Sequence, residues 1–276
     1  MSLNVLYCEG NHKSFDIRLL QQLVPGICLI KPIGSKYGLE DKIISDRAIN
    51  PKLAGLRDRD FDCCDFSIAN KPREWFDQNV QIGWSWERKE IENYLIDPEV
   101  VGRALGRKAP PRDEYTSAVQ KAAETISAYT AARTALSCYR FKNAWGESVD
   151  KKTHSFPQRS KLGKDQCRDK IREIVRNNKG DRIVEEQNVV DKFENLLPLY
   201  RPGGSRFQNC LTFFAGKDLL YVMKKDLQEF GFNSTKDPIN EFLERVLKRI
   251  EESSEDVWTW RPEWQKLRES ITNFDN

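Results

Sequence analysis

Histidine is scarce in this sequence, and the cysteines form no recognisable metal or redox motif. Only His12 and His154 occur among 276 residues, which leaves few candidates for a zinc site or a serine–histidine–aspartate triad. The seven cysteines are dispersed and include no Cys-x-x-Cys pair. An odd number of scattered cysteines, in a chain long enough to bury a core, favours reduced thiols and a cytoplasmic location.

Long apolar runs and nucleotide-binding loops are also missing. No run approaches the ~20 apolar residues that a membrane span requires, and the N-terminus lacks the basic and apolar regions of a secretory signal. We therefore expect no membrane association. Gly216-Lys217 has neither the upstream glycine nor the following serine or threonine of a Walker A motif. If ATP is involved, it is expected to bind another chain.

The charges are unevenly distributed along the chain. Residues 1–100 hold 13 basic and 16 acidic side chains, whereas residues 151–182 hold 11 basic and only 4 acidic ones. Such a basic stretch is typical of a surface that follows a phosphate backbone, although a solvated helical face has the same composition. The candidates for phosphate contact are Lys151, Lys152, Arg159, Lys161, Lys164, Arg168 and Arg172.

The pattern of apolar residues predicts an α/β fold. Buried strands alternate with helical segments, and the crossovers are long enough for parallel strands. The predicted strands are 4–8, 27–30, 53–56 and 81–86, with helices at 14–24 and 39–49. We predict an open, mostly parallel sheet with flanking helices in residues 1–105. A mainly α-helical region follows in 106–276, of which 211–232, with a strand at 211–214, returns to the α/β core.

Acidic residues follow two of these strands at matching positions. Glu9 comes after the first strand, and Asp58 and Asp60 come after the third. In an open parallel sheet the carboxyl ends of the strands form the usual ligand crevice. Mg²⁺ prefers one or two protein carboxylates together with water and phosphate oxygens. The pattern therefore predicts a divalent-metal site, although a lone Asp-x-Asp is also common in ordinary loops.

These motifs together resemble the Toprim domain, which occurs in topoisomerases, primases and OLD-family nucleases. CEGNHKSFDIRLL, LRDRDF, WERKEIENYLIDPEVV and FFAGKDLLYVM are similar to segments of a Toprim-like group related to the OLD nucleases. That group includes the nuclease effector of the PARIS anti-phage system, which is held by an ATPase partner. The resemblance covers residues 4–100 and a short stretch near 211–223.

The resemblance implies roles for individual residues. Glu9 would act as general acid or base, or share a metal, and Asp58 and Asp60 would hold Mg²⁺ or Mn²⁺. Glu92 would add a carboxylate, with Glu90 in reserve, and Lys217 would contact a phosphate or stabilise the leaving oxygen. Without the resemblance, Glu87, Glu90 and Glu92 would be read as a solvated face, and Lys217 as a surface lysine.

The expected activity is metal-dependent hydrolysis of phosphodiester bonds in DNA or RNA, including tRNA, in anti-phage defence. The alternative is a non-catalytic Toprim-like subunit that binds within or regulates an ATPase complex. A primase-like polymerase or a phosphatase is a third alternative. Nucleic acid, an ATPase partner and a second copy of the chain are the partners that these readings imply, and the sequence does not choose among them.

Overall fold

The chain folds into two compact units. The structure, a computed structural model, describes residues 2–34, 38–59, 67–141, 145, 161–178 and 184–274. The first unit comprises Met1–Arg59, Ser67–Ala109 and Asn240–Asn276, and the second contains Pro110–Ile239. Each unit has its own buried core.

The first unit is built on a five-stranded sheet that is mostly parallel. Strands β1, β2, β3 and β5 run in the same direction, and β4 pairs with β5 in the opposite direction. The spatial order is β2-β1-β3-β5-β4. The predicted α/β class is therefore confirmed. The strands are β1 Val5–Cys8, β2 Leu29–Pro32, β3 Leu53–Arg57, β4 Arg73–Asp77 and β5 Val80–Ser85.

Helices flank the sheet and make up most of the second unit. In the first unit they are α1 Phe15–Leu23, α2 Leu39–Arg47, α3 Glu92–Leu95, α4 Pro98–Leu105, α12 Pro238–Glu251 (whose first two residues belong to the second unit) and α13 Pro262–Thr272. In the second unit they are α5 Arg112–Cys138, α6 Lys164–Asn177, α7 Glu186–Tyr200, α8 Ser205–Gln208, α9 Cys210–Phe213, α10 Gly216–Val222 and α11 Lys224–Glu229. No helix in the described ranges is long and apolar enough to cross a membrane.

The first helix illustrates how the sequence pattern becomes structure. Ile17, Leu20 and Leu23 recur at helical spacing, and all three side chains are buried. Ser14 occupies the predicted N-cap position with an extended backbone, but its hydroxyl donates to the carbonyl of Asn11. The burial of the apolar stripe, rather than a capping hydrogen bond from Ser14, therefore fixes this helix.

The C-terminal segment completes the core of the sheet unit. The N–H of Leu3 donates to the carbonyl of Ile271 at 3.1 Å, and the Trp84 and Phe274 rings meet edge to face with centroids 5.4 Å apart. Arg18 of α1 donates to Glu244 and Glu251 of α12 at 2.7 and 2.8 Å. These contacts explain why residues 240–276 fold with the sheet.

This arrangement differs from the predicted division of the chain at residue 105. The segment that returns to the α/β unit is 240–276, whereas residues 211–232 belong to the second unit. Leu211–Phe214 is not a strand, because Cys210–Phe213 forms a helical turn. A four-residue apolar run fits either structure, and periodicity alone does not separate them.

The sheet differs from the sequence prediction at two further points. The second strand begins at Leu29 rather than at residue 27, and its partner register pairs Leu29 with Val5. The edge strand β4, which forms a hairpin with β5, was absent from the sequence prediction. Only Trp75 of β4 is buried, so this strand shows little apolar signal.

Candidate functional site

The carboxyl ends of three neighbouring parallel strands meet at one edge of the sheet. Cys8, the last residue of β1, lies in register with Leu56 of β3, and Arg57 at the end of β3 lies in register with Ser85 of β5. Glu9 and Asp58 are the residues that follow β1 and β3 directly. Both residues lie just beyond the last paired positions of two adjacent strands, which are spaced about 5 Å apart.

Glycine is required immediately after Glu9. Gly10 has a φ of +94°, a conformation that side chains with a Cβ rarely adopt, and an added Cβ would lie 2.4 Å from Oγ of Ser14. The N–H of Gly10 donates to the carbonyl of Gly34, and the N–H of Gly34 donates in return, at 2.7 and 3.0 Å. The glycine therefore turns the chain sharply at the point where Glu9 leaves the strand.

Glu9 and Asp58 are both half-buried at this edge. Oε1 of Glu9 is inaccessible to solvent. The neighbouring Cys8 is a buried free thiol, and burial, followed by the charge of Asp16, raises the pKa of Cys8 well above its usual range. Mg²⁺ takes oxygen ligands, so the carboxylates are the expected donors at this edge. Asp60, the other predicted aspartate, lies outside the described residues.

The segment after β5 continues alongside the end of β3. The N–H of Trp86 donates to the carbonyl of Arg57 at 3.1 Å, and the N–H of Arg59 donates to the carbonyl of Lys89 at 3.0 Å. These bonds keep residues 86–89 next to residues 57–59. The predicted carboxylates Glu90 and Glu92 follow directly in sequence.

Burial excludes the solvated-face interpretation of this segment. Glu87 is only 3% exposed, Lys89 3% and Glu92 6%, and Oε2 of Glu92 is inaccessible to solvent. Glu90 is half-buried. Buried charged side chains are rare and costly unless they are hydrogen-bonded or bind an ion. The Glu-Ile-Glu-Asn-Tyr-Leu motif is therefore part of the interior of the sheet unit.

The side chain of Arg88 connects the start of this segment to residues near its end. The guanidinium of Arg88 donates to the carbonyl of Asn93 at 2.7 Å and to Oδ2 of Asp97 at 2.6 Å, and it lies over the Tyr94 ring. Burial opposes the ionisation of Asp97, but Arg88 and Arg261 outweigh it and hold the pKa of Asp97 below its usual value. Asp97 also accepts from the N–H of Glu99, where it caps α4.

A glutamate from the C-terminal helix α13 completes this network. Oε1 of Glu263 accepts from the N–H of Glu87 at 2.6 Å, and Oε2 accepts from the hydroxyl of Tyr94 at 2.5 Å. Burial raises the pKa of Glu263 to about 7, although Tyr94, the Glu87 amide and Arg88 favour the ionised form. Nothing in the sequence pattern distinguished Glu263, because its partners lie about 170 positions earlier in the chain.

The predicted basic residues belong to the second unit of the chain. Lys217 is exposed on α10. Four of the seven candidates for phosphate contact are described, and three of them form ion pairs with neighbouring carboxylates. Lys164 and Arg168 pair with Glu194, and Arg172 pairs with Asp169 and Glu186. Lys161 is exposed, and Lys151, Lys152 and Arg159 lie outside the described residues.

The fit of this edge to a metal ion depends on how many ligands the protein must supply. Within the described ranges, no three His, Cys, Asp or Glu side chains are grouped so that they could hold a metal. The predicted carboxylates therefore do not form a complete set of protein ligands for a metal: these are Glu9, Asp58, Glu90 and Glu92. A site with one or two carboxylates and several waters, which suits Mg²⁺, needs no such complete set. Glu9 and Asp58 fit that simpler requirement.

Comparison with known proteins assigns no family to the chain. No protein-family model matches the sequence, and no curated protein matches it.

Proposed function

We propose that this protein is a metal-dependent hydrolase of phosphodiester bonds in DNA or RNA, with tRNA among the candidate substrates. The observation that carries the proposal is the position of Glu9 and Asp58 after adjacent parallel strands, at one edge of the sheet. Half-buried carboxylates at the carboxyl ends of parallel strands occupy the place where open α/β sheets bind ligands. The resemblance to Toprim-like nucleases agrees with this placement and supplies the reaction class.

Glu9 and Asp58 would hold the Mg²⁺ or Mn²⁺ ion, together with Asp60. A bound divalent ion would lower the pKa of a water molecule and neutralise charge on phosphate oxygens. Glu9, which leaves the strand at the Gly10 turn, would accept a proton from the attacking water. Glu92, with Glu90 in reserve, would contribute a further carboxylate, and Lys217 would contact a substrate phosphate.

A second candidate is a non-catalytic subunit that binds or regulates an ATPase partner, or assembles with a second copy of the chain. The pairing of Lys164, Arg168 and Arg172 with acidic side chains favours this candidate, because it leaves less free charge for a phosphate backbone. Exposed ion pairs are weak, however, and phosphates compete with them readily.

Cleavage assays with matched variants distinguish these candidates. Labelled single-stranded DNA, double-stranded DNA and tRNA are incubated with the intact chain and Mg²⁺ or Mn²⁺, with and without a co-purified ATPase partner. Glu9→Gln and Asp58→Asn remove one charge each and keep the shape of the side chain. Glu40→Gln, at an exposed position on α2, serves as the control for loss of one negative charge.

The proposal expects metal-dependent cleavage by the intact chain and by Glu40→Gln, and a loss of at least 100-fold in Glu9→Gln and Asp58→Asn. A chain that cuts none of the substrates, even with its partner, would instead support the binding-subunit candidate. Cleavage that persists in both site variants would show that another part of the molecule carries the activity.

A further inference from the structure

Both carboxylate oxygens of Glu263, on α13, accept hydrogen bonds from the segment that carries Glu90 and Glu92. Its side chain is 4% exposed, so neither bond is shared with bulk solvent. One oxygen holds the start of the segment through the N–H of Glu87, and the other holds its far end through the hydroxyl of Tyr94. Glu263 therefore spans the segment from residue 87 to residue 94.

The bonds inside the segment transmit this restraint to the candidate ligands. The hydroxyl of Tyr94 accepts from the N–H of Arg88 at 3.3 Å. Glu90 and Asn93 exchange two bonds: the N–H of Glu90 donates to Oδ1 of Asn93 at 3.2 Å, and the N–H of Asn93 donates to the carbonyl of Glu90 at 3.1 Å. The main chain around Glu90 is consequently fixed by the same network that Glu263 closes.

The network also reaches the end of β3. The carbonyl of Lys89 accepts from the N–H of Arg59, the residue that follows Asp58. A shift of the segment would therefore alter the position of Glu90 relative to Asp58. Residues that orient metal ligands through hydrogen bonds commonly change metal affinity by about 10- to 100-fold when they are removed.

We propose that Glu263 is a positioning residue that holds the carboxylates after β5 in place beside Asp58, an inference that rests on the proposed metal-dependent function. It would touch neither substrate nor metal itself. Its action passes through Glu87 and Tyr94 to the main chain of Glu90 and Glu92.

The test measures Mn²⁺ affinity directly by calorimetry, beside metal-dependent cleavage, for the intact chain and four variants. Glu263→Ala removes both acceptors. Glu263→Gln keeps one acceptor for the Glu87 amide and offers an N–H to the Tyr94 oxygen, so it preserves the span. Tyr94→Phe removes only the hydroxyl and keeps the ring packed between Trp86 and Trp264. Glu269→Ala, on the same helix and bonded to Lys266, is the control.

We expect the Mn²⁺ dissociation constant to rise at least 10-fold in Glu263→Ala and at least 3-fold in Tyr94→Phe. It should stay within about 3-fold of the intact value in Glu263→Gln and Glu269→Ala, in line with the size of outer-shell effects. Each constant is measured at a temperature at which circular dichroism shows a fully folded variant. A merely structural role would lower the melting temperature and leave the dissociation constant unchanged.

The outcomes separate the two proposals. If the intact chain binds Mn²⁺ and cuts nucleic acid, but folded Tyr94→Phe and Glu263→Ala bind Mn²⁺ as tightly as it does, the positioning role is overturned and the nuclease function stands. If Glu263→Ala does not fold, Tyr94→Phe decides the question alone. If the intact chain neither binds Mn²⁺ nor cuts, the proposed function fails, and the positioning role falls with it.

Discussion

Replacing Glu263 by glutamine should remove a large pH-dependent contribution to the free energy of unfolding of the sheet unit. Burial raises the pKa of this carboxyl from its ordinary value of 4.5 to about 7. The folded state therefore binds the proton more tightly than the unfolded chain does, so protonation stabilises the fold. That contribution is complete below pH 4.5, declines as the pH rises from 4.5 to 7, and is lost above the folded pKa.

The size of the effect follows from the interval between the two pKa values. At about 1.36 kcal/mol for each pH unit, the interval from 4.5 to about 7 corresponds to about 3 kcal/mol. The free energy of unfolding of the intact chain should fall by about this amount, relative to Glu263→Gln, between pH 4.5 and pH 8. Glutamine does not titrate in this range, so the difference between the two proteins isolates the carboxyl.

Urea unfolding followed by tryptophan fluorescence measures this difference. Six of the seven tryptophans belong to the sheet unit, so the signal follows mainly the unit that contains Glu263. Glu269→Gln, on the exposed side of the same helix, should track the intact chain across the range. A difference between the intact chain and Glu263→Gln that changes by less than about 1 kcal/mol from pH 4.5 to 8 would refute the reasoning.

Three further substitutions test other parts of the account. Gly10→Ala should lower the free energy of unfolding by about 1–3 kcal/mol, because it forces a positive φ and a clash with Ser14, and urea unfolding measures the loss. Asp97→Ala should cost about 3–5 kcal/mol by leaving the buried Arg88 charge uncompensated, which thermal unfolding would detect as a lower melting temperature. Lys217→Ala should leave the free energy of unfolding within about 0.5 kcal/mol of the intact value, because Lys217 is exposed, and urea unfolding measures the difference.

Much of the sheet could be predicted because its strands are short, buried and regularly spaced along the chain. Leu53–Arg57 and the stripe of α1 follow directly from local patterns of apolar residues. The positions of Glu9 and Asp58 then follow from topology, since parallel strands share one carboxyl edge. The edge strand β4 shows only one buried residue, and this is why periodicity missed it.

The interior position of the Glu87–Glu92 segment could not be predicted from local sequence. Its charges look like a solvated face until α13 is placed against them, and the partner carboxylate comes from residue 263. Local sequence patterns do not indicate contacts between residues that lie far apart along the chain. The same limit explains why residues 211–232 were assigned to the sheet unit while 240–276 were not.

Direct titration of the protein with Mn²⁺ tests the central claim, that Glu9 and Asp58 together hold a divalent metal. Calorimetry on the intact chain should show saturable binding, which Glu9→Gln and Asp58→Asn each weaken at least 10-fold while Glu40→Gln leaves it unchanged. Binding of equal strength in all four proteins, or no binding to the intact chain, would contradict the account.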